Sequence, residues 1–147
     1  MKHLPRLFDT QLVFWCQKME EPFARGSIFI VYFWFGILKL LGFSPAEQLV
    51  QELYLKTVPF LSFSTFYIFF ALFEMLIGIV FLKRGWERFA IILLGLHLVT
   101  TVMPLFFLPA ISWSAFMVPT LVGQYIIKNV LIATAGVVIL AKIVPKQ

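Results

Sequence analysis

The feature that most constrains the fold of this chain is a set of four long apolar runs. A helix that crosses the hydrocarbon layer of a membrane needs about 20 mostly apolar residues. Four segments meet this requirement, at residues 24–41, 60–82, 89–108 and 120–141. The sequence therefore predicts an all-α integral membrane protein whose four helices form a bundle.

Composition argues against a soluble domain. Of the 147 residues, 61% are hydrophobic and only 13% are charged, whereas a soluble domain carries about a quarter charged residues. So few charges could not cover the surface of a soluble fold. The formal net charge of +5 could suggest nucleic-acid binding, but the basic residues flank the apolar runs instead of forming a basic stripe. The predicted partner is the lipid bilayer, and no nucleic acid.

The distribution of lysine and arginine predicts the orientation of the chain. Outside the spans or at their ends, nine basic residues fall on one side of the membrane and one, Lys56, falls on the other. The nine are Lys2, Arg6, Lys18, Arg25, Lys83, Arg84, Arg88, Lys142 and Lys146. Because cytoplasmic segments carry the excess of positive charge, both termini are predicted to be cytoplasmic.

The segment before the first span differs from the spans. Between Phe8 and Met19 apolar residues recur at helical spacing among polar ones. This pattern predicts an amphipathic helix that lies in the membrane interface and ends near Pro22. The chain is accordingly divided into a cytoplasmic interfacial segment, residues 1–23, and a single membrane domain, residues 24–147.

Every predicted span contains at least one polar residue far from its ends. They are Lys39, Glu74, His97, Gln124, Lys128 and Asn129. An ionisable group at the centre of a span costs about 2.5–3.5 kcal/mol on insertion, so a functional role is its default interpretation. The structural alternatives are side chains that only join helices, or lysines that reach back to the headgroups. These six residues are the candidate ligand-binding groups, arranged as a polar seam between the helices.

Side-chain direction predicts which of these groups meet. Helical side chains lean toward the N-terminus of their own helix. Lys39 on the first span and Glu74 on the second therefore lean toward each other, which predicts an ion pair. Lys128 and His97 lean apart, and Lys128 is left without an acidic partner. A buried ammonium without a partner can lose its proton, bind an anionic or carbonyl-bearing ligand, or pair with a carboxylate of another subunit.

Familiar catalytic patterns do not occur in this sequence. Cys16 is the single cysteine, so no intramolecular disulfide can form. No His, Cys, Asp and Glu cluster has the spacing of metal ligands. The second histidine, His3, precedes the spans, which argues against a haem held by two histidines. The sequence thus predicts no catalytic residue, no metal and no enzyme acting alone.

Two stretches resemble motifs of the DoxX-like family of small membrane proteins. In the first, Gly36 is followed by Lys39-Leu40, and in the second, Glu74 is followed four residues later by Gly78. Four spans in about 150 residues also match that family. The resemblance implies a four-helix membrane bundle in which Lys39 and Glu74 occupy characteristic polar positions. Members are associated with thiosulfate:quinone oxidoreductase, redox enzyme maturation or oxidant resistance, whereas the stretch around Lys128 is not part of the motif.

Three functional hypotheses follow. The leading one is an accessory or ligand-binding component of redox or respiratory metabolism in the bacterial inner membrane, with a quinone or a lipid-like ligand held against Lys128, Gln124 and His97. The second is a small transporter or channel that acts as a homo-oligomer and uses the polar seam as its pathway. The third is a structural subunit whose Lys128 meets a partner membrane protein.

Overall fold

The computed structural model describes residues 4–58 and 60–142, with side chains from Asp9 onwards. The elements are α1 (Leu4–Leu40), α2 (Glu47–Thr57), α3 (Phe63–Leu82), α4 (Glu87–Val102), α5 (Pro104–Phe107), α6 (Pro109–Ser112), β1 (Trp113–Ala115), β2 (Val118–Pro119), α7 (Leu121–Ile127) and α8 (Asn129–Ala141). Lys2, His3 and Lys146, which entered the sequence interpretation, lie outside the described residues.

Four helical segments are long and apolar enough to cross a membrane. They cover Asp9–Leu40, Phe63–Leu82, Glu87–Phe107 and Leu121–Ala141. The third combines α4 and α5, and the fourth combines α7 and α8. A mostly helical chain with four such segments agrees with the prediction from the apolar runs, and it indicates a membrane protein.

The first helix corrects one expectation. A separate amphipathic helix was expected to end near Pro22, but α1 continues through this proline as one helix of 37 residues. A proline inside a helix costs one backbone hydrogen bond, and its ring clashes with the carbonyl of the residue four positions earlier. Long helices of membrane proteins tolerate this cost through local adjustment of the backbone, and α1 does so at the exposed Pro22. The interfacial position of residues 1–23 remains a prediction.

Small residues allow α1 and α3 to approach closely, and this pair makes the most extensive contact in the fold. A Cβ atom on Gly36 would lie 2.8 Å from the carbonyl oxygen of Ala71, and one on Gly78 would lie 3.1 Å from the backbone nitrogen of Phe33. The first distance leaves no room for a side chain, and the second is tighter than an ordinary van der Waals contact. Backbones in such close contact are typical of membrane helices that meet through small residues.

The two ends of the helical assembly differ in character. At one end the side chain of Glu20 on α1 forms an ion pair with Lys142, which directly follows α8. We call this the termini end, and we call the opposite end, where α2 and the β1–β2 hairpin lie, the loop end. The apolar core occupies the half nearer the termini end. It comprises Ile28, Tyr32, Ile77, Val80, Phe81, Ala90, Leu93, Leu94 and Ile139.

The loop end is closed by α2 and by the connection between the third and fourth spans. Tyr54 of α2 packs against Phe63 and Phe66, with ring centroids 5.6 and 5.0 Å apart. Lys56 donates a hydrogen bond to the carbonyl oxygen of Phe107 at 2.9 Å. Residues 113–119 form a short antiparallel hairpin, which no pattern in the sequence predicted. Its tip exposes an almost fully accessible Phe116.

Candidate functional site

The ion pair predicted between Lys39 and Glu74 forms. Lys39 Nζ lies 2.6 Å from Glu74 Oε2, and both side chains are more than nine-tenths buried. Lys39 is near the loop end of α1 and reaches back toward the termini end, while Glu74 of α3 reaches toward the loop end. Opposed leaning of side chains on antiparallel helices therefore brings the two charges together.

His97 of α4 extends this pair into a network that joins three spans. Its Nε2 atom lies 3.0 Å from Glu74 Oε1. Its Nδ1 atom lies 3.2 Å from the Tyr32 hydroxyl and 3.1 Å from the Thr101 hydroxyl. The Thr101 hydroxyl also donates to the carbonyl oxygen of His97 at 2.9 Å. Since a carboxylate only accepts, a neutral His97 that donates from Nε2 and accepts from Tyr32 at Nδ1 satisfies the network.

The charges of this cluster balance, but not all of its hydrogen-bond donors have an acceptor. Lys39 contributes one positive charge and Glu74 one negative charge, so the cluster is neutral with a neutral His97. A lysine ammonium has three donors. Among the described residues, Glu74 Oε2 is the one acceptor that Lys39 Nζ reaches. Two donors of a buried ammonium therefore remain for a further acceptor.

Aromatic rings enclose the cluster. The Phe70 ring stacks on the His97 imidazole, with centroids 5.3 Å apart and an angle of 18° between the planes. Lys39 Nζ lies 5.7 Å from the centroid of the same Phe70 ring. The Tyr32 ring meets the imidazole edge to face at 5.0 Å. These rings shield the charges from lipid and hold the imidazole in one plane.

The three candidates on the fourth span lie elsewhere. Gln124 and Lys128 are exposed, and the Lys128 ammonium lies 4.9 Å from the centroid of the Tyr125 ring. Asn129 is half-buried and donates to the backbone carbonyl oxygens of Tyr125 and Ile126, each at 3.1 Å. The expected placement of Gln124 and Lys128 on an interior seam is thus corrected. The structure unites Lys39, Glu74 and His97 and separates them from these three residues.

Sequence reasoning missed a second polar cluster at the termini end. The Arg25 guanidinium donates to Glu87 Oε1 at 2.5 Å, to Glu21 Oε1 at 2.9 Å and to the carbonyl oxygen of Phe81 at 2.9 Å. Arg25 and Glu87 are both buried. The backbone N–H of Gly85 also donates to Glu87 at 3.0 Å. This cluster ties α1 to the turn between α3 and α4, so we assign it a structural role.

Within residues 4–58 and 60–142, no group of three His, Cys, Asp or Glu side chains is arranged to hold a metal ion. The fold and the cluster define a small, mostly helical protein with four helices long and apolar enough to cross a membrane and a buried polar cluster. Comparison with family models, with curated proteins and with solved structures finds no match to the chain.

Proposed function

We propose that this chain is a DoxX-like protein of the bacterial inner membrane that binds a quinone or another lipid-like ligand. In this proposal it is an accessory component of redox or respiratory metabolism and not an enzyme by itself. The ligand site is the cluster of Lys39, Glu74 and His97, which the first three spans build at mid-membrane depth. The motif resemblance at Lys39 and Glu74 supports the same two residues.

The observation that carries the proposal is that Lys39 has hydrogen-bond donors without an acceptor. Its buried ammonium donates to Glu74 and retains two donors, and leaving such donors unmet in the interior is costly. A quinone dissolves in the membrane, where the proposed site lies, and its carbonyl oxygen accepts this kind of hydrogen bond. The ligand was first expected against Lys128 and Gln124, but both are exposed, so the proposal assigns it to Lys39 and His97.

The proposal includes a four-helix bundle with both termini in the cytoplasm. Among the described residues, basic side chains concentrate at the termini end, in the turn at Lys83 and Arg84 and at Lys142. The loop end carries Lys56. The positive-inside rule orients such an assembly with its termini end toward the cytoplasm.

Two lysines of the chain provide a matched test. The purified protein in mild detergent is titrated with a short-chain ubiquinone, and binding is followed by the quenching of tryptophan fluorescence. We expect Lys39→Met to weaken binding by about tenfold or more, because at least one hydrogen bond from a charged donor is lost. The same substitution at the exposed lysine, Lys128→Met, is expected to leave the dissociation constant unchanged. Equal affinities of the two variants would refute the proposed site.

A second candidate function, a subunit of a larger membrane complex, has one observation in its favour. Lys128 is exposed within a span, where a charge facing lipid is costly. Of the seven acidic residues, only Glu74 lies well inside a span, and it is occupied by Lys39 and His97. A partner with its own carboxylate would complement Lys128. Copurification of a second membrane protein that is lost in Lys128→Met would favour this function.

A further inference from the structure

The hydroxyl of Tyr67 is buried without a hydrogen bond. Tyr67 lies on α3 and is 7% exposed, and its ring stacks on Phe63 with centroids 5.2 Å apart. The Ser44 side chain lies beside it, but no described residue completes a hydrogen bond to the hydroxyl. An unmet buried hydroxyl costs about 1–3 kcal/mol. A partner that enters from outside the chain would remove this cost.

Tyr67 has a definite position relative to the polar cluster. It precedes Glu74 by seven residues on α3, which corresponds to about 10 Å along the helix toward the loop end. Phe81 follows Glu74 by seven residues and lies toward the termini end. Tyr67 and Phe81 are thus two buried aromatic residues of one helix, on opposite sides of the cluster.

The two sides of the cluster differ in polarity. Toward the termini end lies the apolar core, in which Ile77 and Phe81 of α3 have no exposed surface. A ligand oxygen that passed through this core would leave its hydrogen bonds unmet. Toward the loop end lie the Tyr67 hydroxyl, the Ser44 hydroxyl and Glu47 at the start of α2. Polar groups therefore follow the cluster directly toward the loop end, whereas the apolar core separates it from Arg25 and Glu87 at the termini end.

We infer that the ligand reaches the buried cluster from the loop end, beneath α2, and that the Tyr67 hydroxyl is its first hydrogen-bonding partner. The ligand carries a carbonyl or hydroxyl oxygen, which can accept from Tyr67 and then from Lys39. This inference deepens the proposed function and rests on it. The inferred route also distinguishes this protein from a channel, because the route ends at the apolar core and does not continue across the membrane.

Cysteine accessibility tests the direction of entry. In a Cys16→Ser background, Tyr67→Cys and Phe81→Cys are each treated with a charged methanethiosulfonate reagent in detergent micelles. Because thiol modification depends on access as well as on thiolate content, we expect Tyr67→Cys to react about tenfold faster than Phe81→Cys. Circular dichroism establishes that both variants are folded. Equal rates, or a faster reaction at Phe81→Cys, would overturn the inferred route.

A second variant tests the hydroxyl alone. Tyr67→Phe keeps the ring that stacks on Phe63 and removes only the oxygen. We expect it to weaken the binding of a short-chain ubiquinone by about fivefold, the equivalent of one hydrogen bond. Tyr125→Phe, which alters an exposed tyrosine, is the control and should bind as the unmodified protein does.

The two measurements distinguish a wrong route from a wrong ligand. If the unmodified protein binds ubiquinone but Tyr67→Phe binds it equally well and the two cysteines react alike, the route is wrong and the proposed function stands. If the unmodified protein binds no ubiquinone and Tyr67→Cys still reacts faster, the route stands and the proposed ligand is wrong.

Discussion

Removal of the two partners of the buried ion pair is predicted to have unequal effects on stability. Glu74→Gln leaves the Lys39 ammonium buried, with no other carboxylate in the cluster. Lys39→Met leaves the Glu74 carboxylate, which still accepts from His97 at 3.0 Å. This hydrogen bond still satisfies one of the two carboxylate oxygens. Glu74→Gln should therefore cost more than Lys39→Met.

The geometry sets the size of the difference. Breaking a buried ion pair by removing one partner costs about 3–5 kcal/mol, and the pair is buried with an N–O distance of 2.6 Å. We expect Glu74→Gln to lower the free energy of unfolding by an amount in that range. For Lys39→Met the hydrogen bond to His97 offsets part of the loss, so we expect about 1–3 kcal/mol. Replacing both partners should cost less than the sum of the single losses, because neither charge is left alone.

Unfolding in mixed micelles with increasing dodecyl sulfate, followed by circular dichroism, measures these free energies. Lys128→Met is the control, and we expect no loss in the free energy of unfolding, because the exposed Lys128 side chain forms no ion pair with any described residue and its charge is costly in lipid. The reasoning would be refuted if Glu74→Gln were as stable as Lys128→Met. It would also be refuted if Lys39→Met were the more damaging of the two.

Two further predictions concern packing and the termini end. Gly123→Ala would place a Cβ atom 2.2 Å from the backbone oxygen of Ser112, so we expect a loss of about 1–3 kcal/mol in the free energy of unfolding. The control is Gly95→Ala, whose Cβ atom would meet no atom within 4 Å and should cause no loss. Equal effects of the two substitutions would contradict this prediction. Glu87→Gln removes the charge that faces Arg25 at 2.5 Å. We expect it to lower the midpoint of thermal unfolding, and an unchanged midpoint would show that the remaining contacts of Arg25 suffice.

The spans and the Lys39–Glu74 pair could be predicted because each depends only on the order and spacing of residues along the chain. The length of an apolar run determines whether a helix can cross lipid. Side-chain lean, combined with the direction of each span, determines whether two groups at different depths can meet. Tyr32 stands seven residues before Lys39 and Thr101 four residues after His97, so helical periodicity places both on the faces that carry the network.

The orientation of the fourth span could not be predicted in this way. Gln124 and Lys128 share a face, but the spacing does not say whether that face points inward. The residues that do face inward include Gly123, Ile126 and Ile139, and they are no more apolar than those exposed on the same span. Because lipid is as apolar as the protein interior, hydrophobic periodicity loses its power to distinguish the two faces.

The contact between Arg25 and Glu87 escaped prediction for a different reason. The two residues are 62 positions apart; in the sequence Arg25 stands at the start of the first predicted span and Glu87 just before the third, where charges are ordinarily solvated. Only the packing of α1 against the turn after α3 buries them. Similarly, Pro22 predicts a helix end, because the sequence does not show whether a long helix tolerates the lost hydrogen bond and the clash of the ring.

Native mass spectrometry of the gently solubilised protein tests the central claim most directly, because it records bound small molecules and protein partners together. The account predicts one quinone, or one lipid-like ligand with a carbonyl oxygen, per chain in the unmodified protein and in Lys128→Met, and its loss in Lys39→Met. A ligand that persists in Lys39→Met, or a protein that carries only annular lipid in all three forms, would contradict the assignment of the buried cluster as a ligand site.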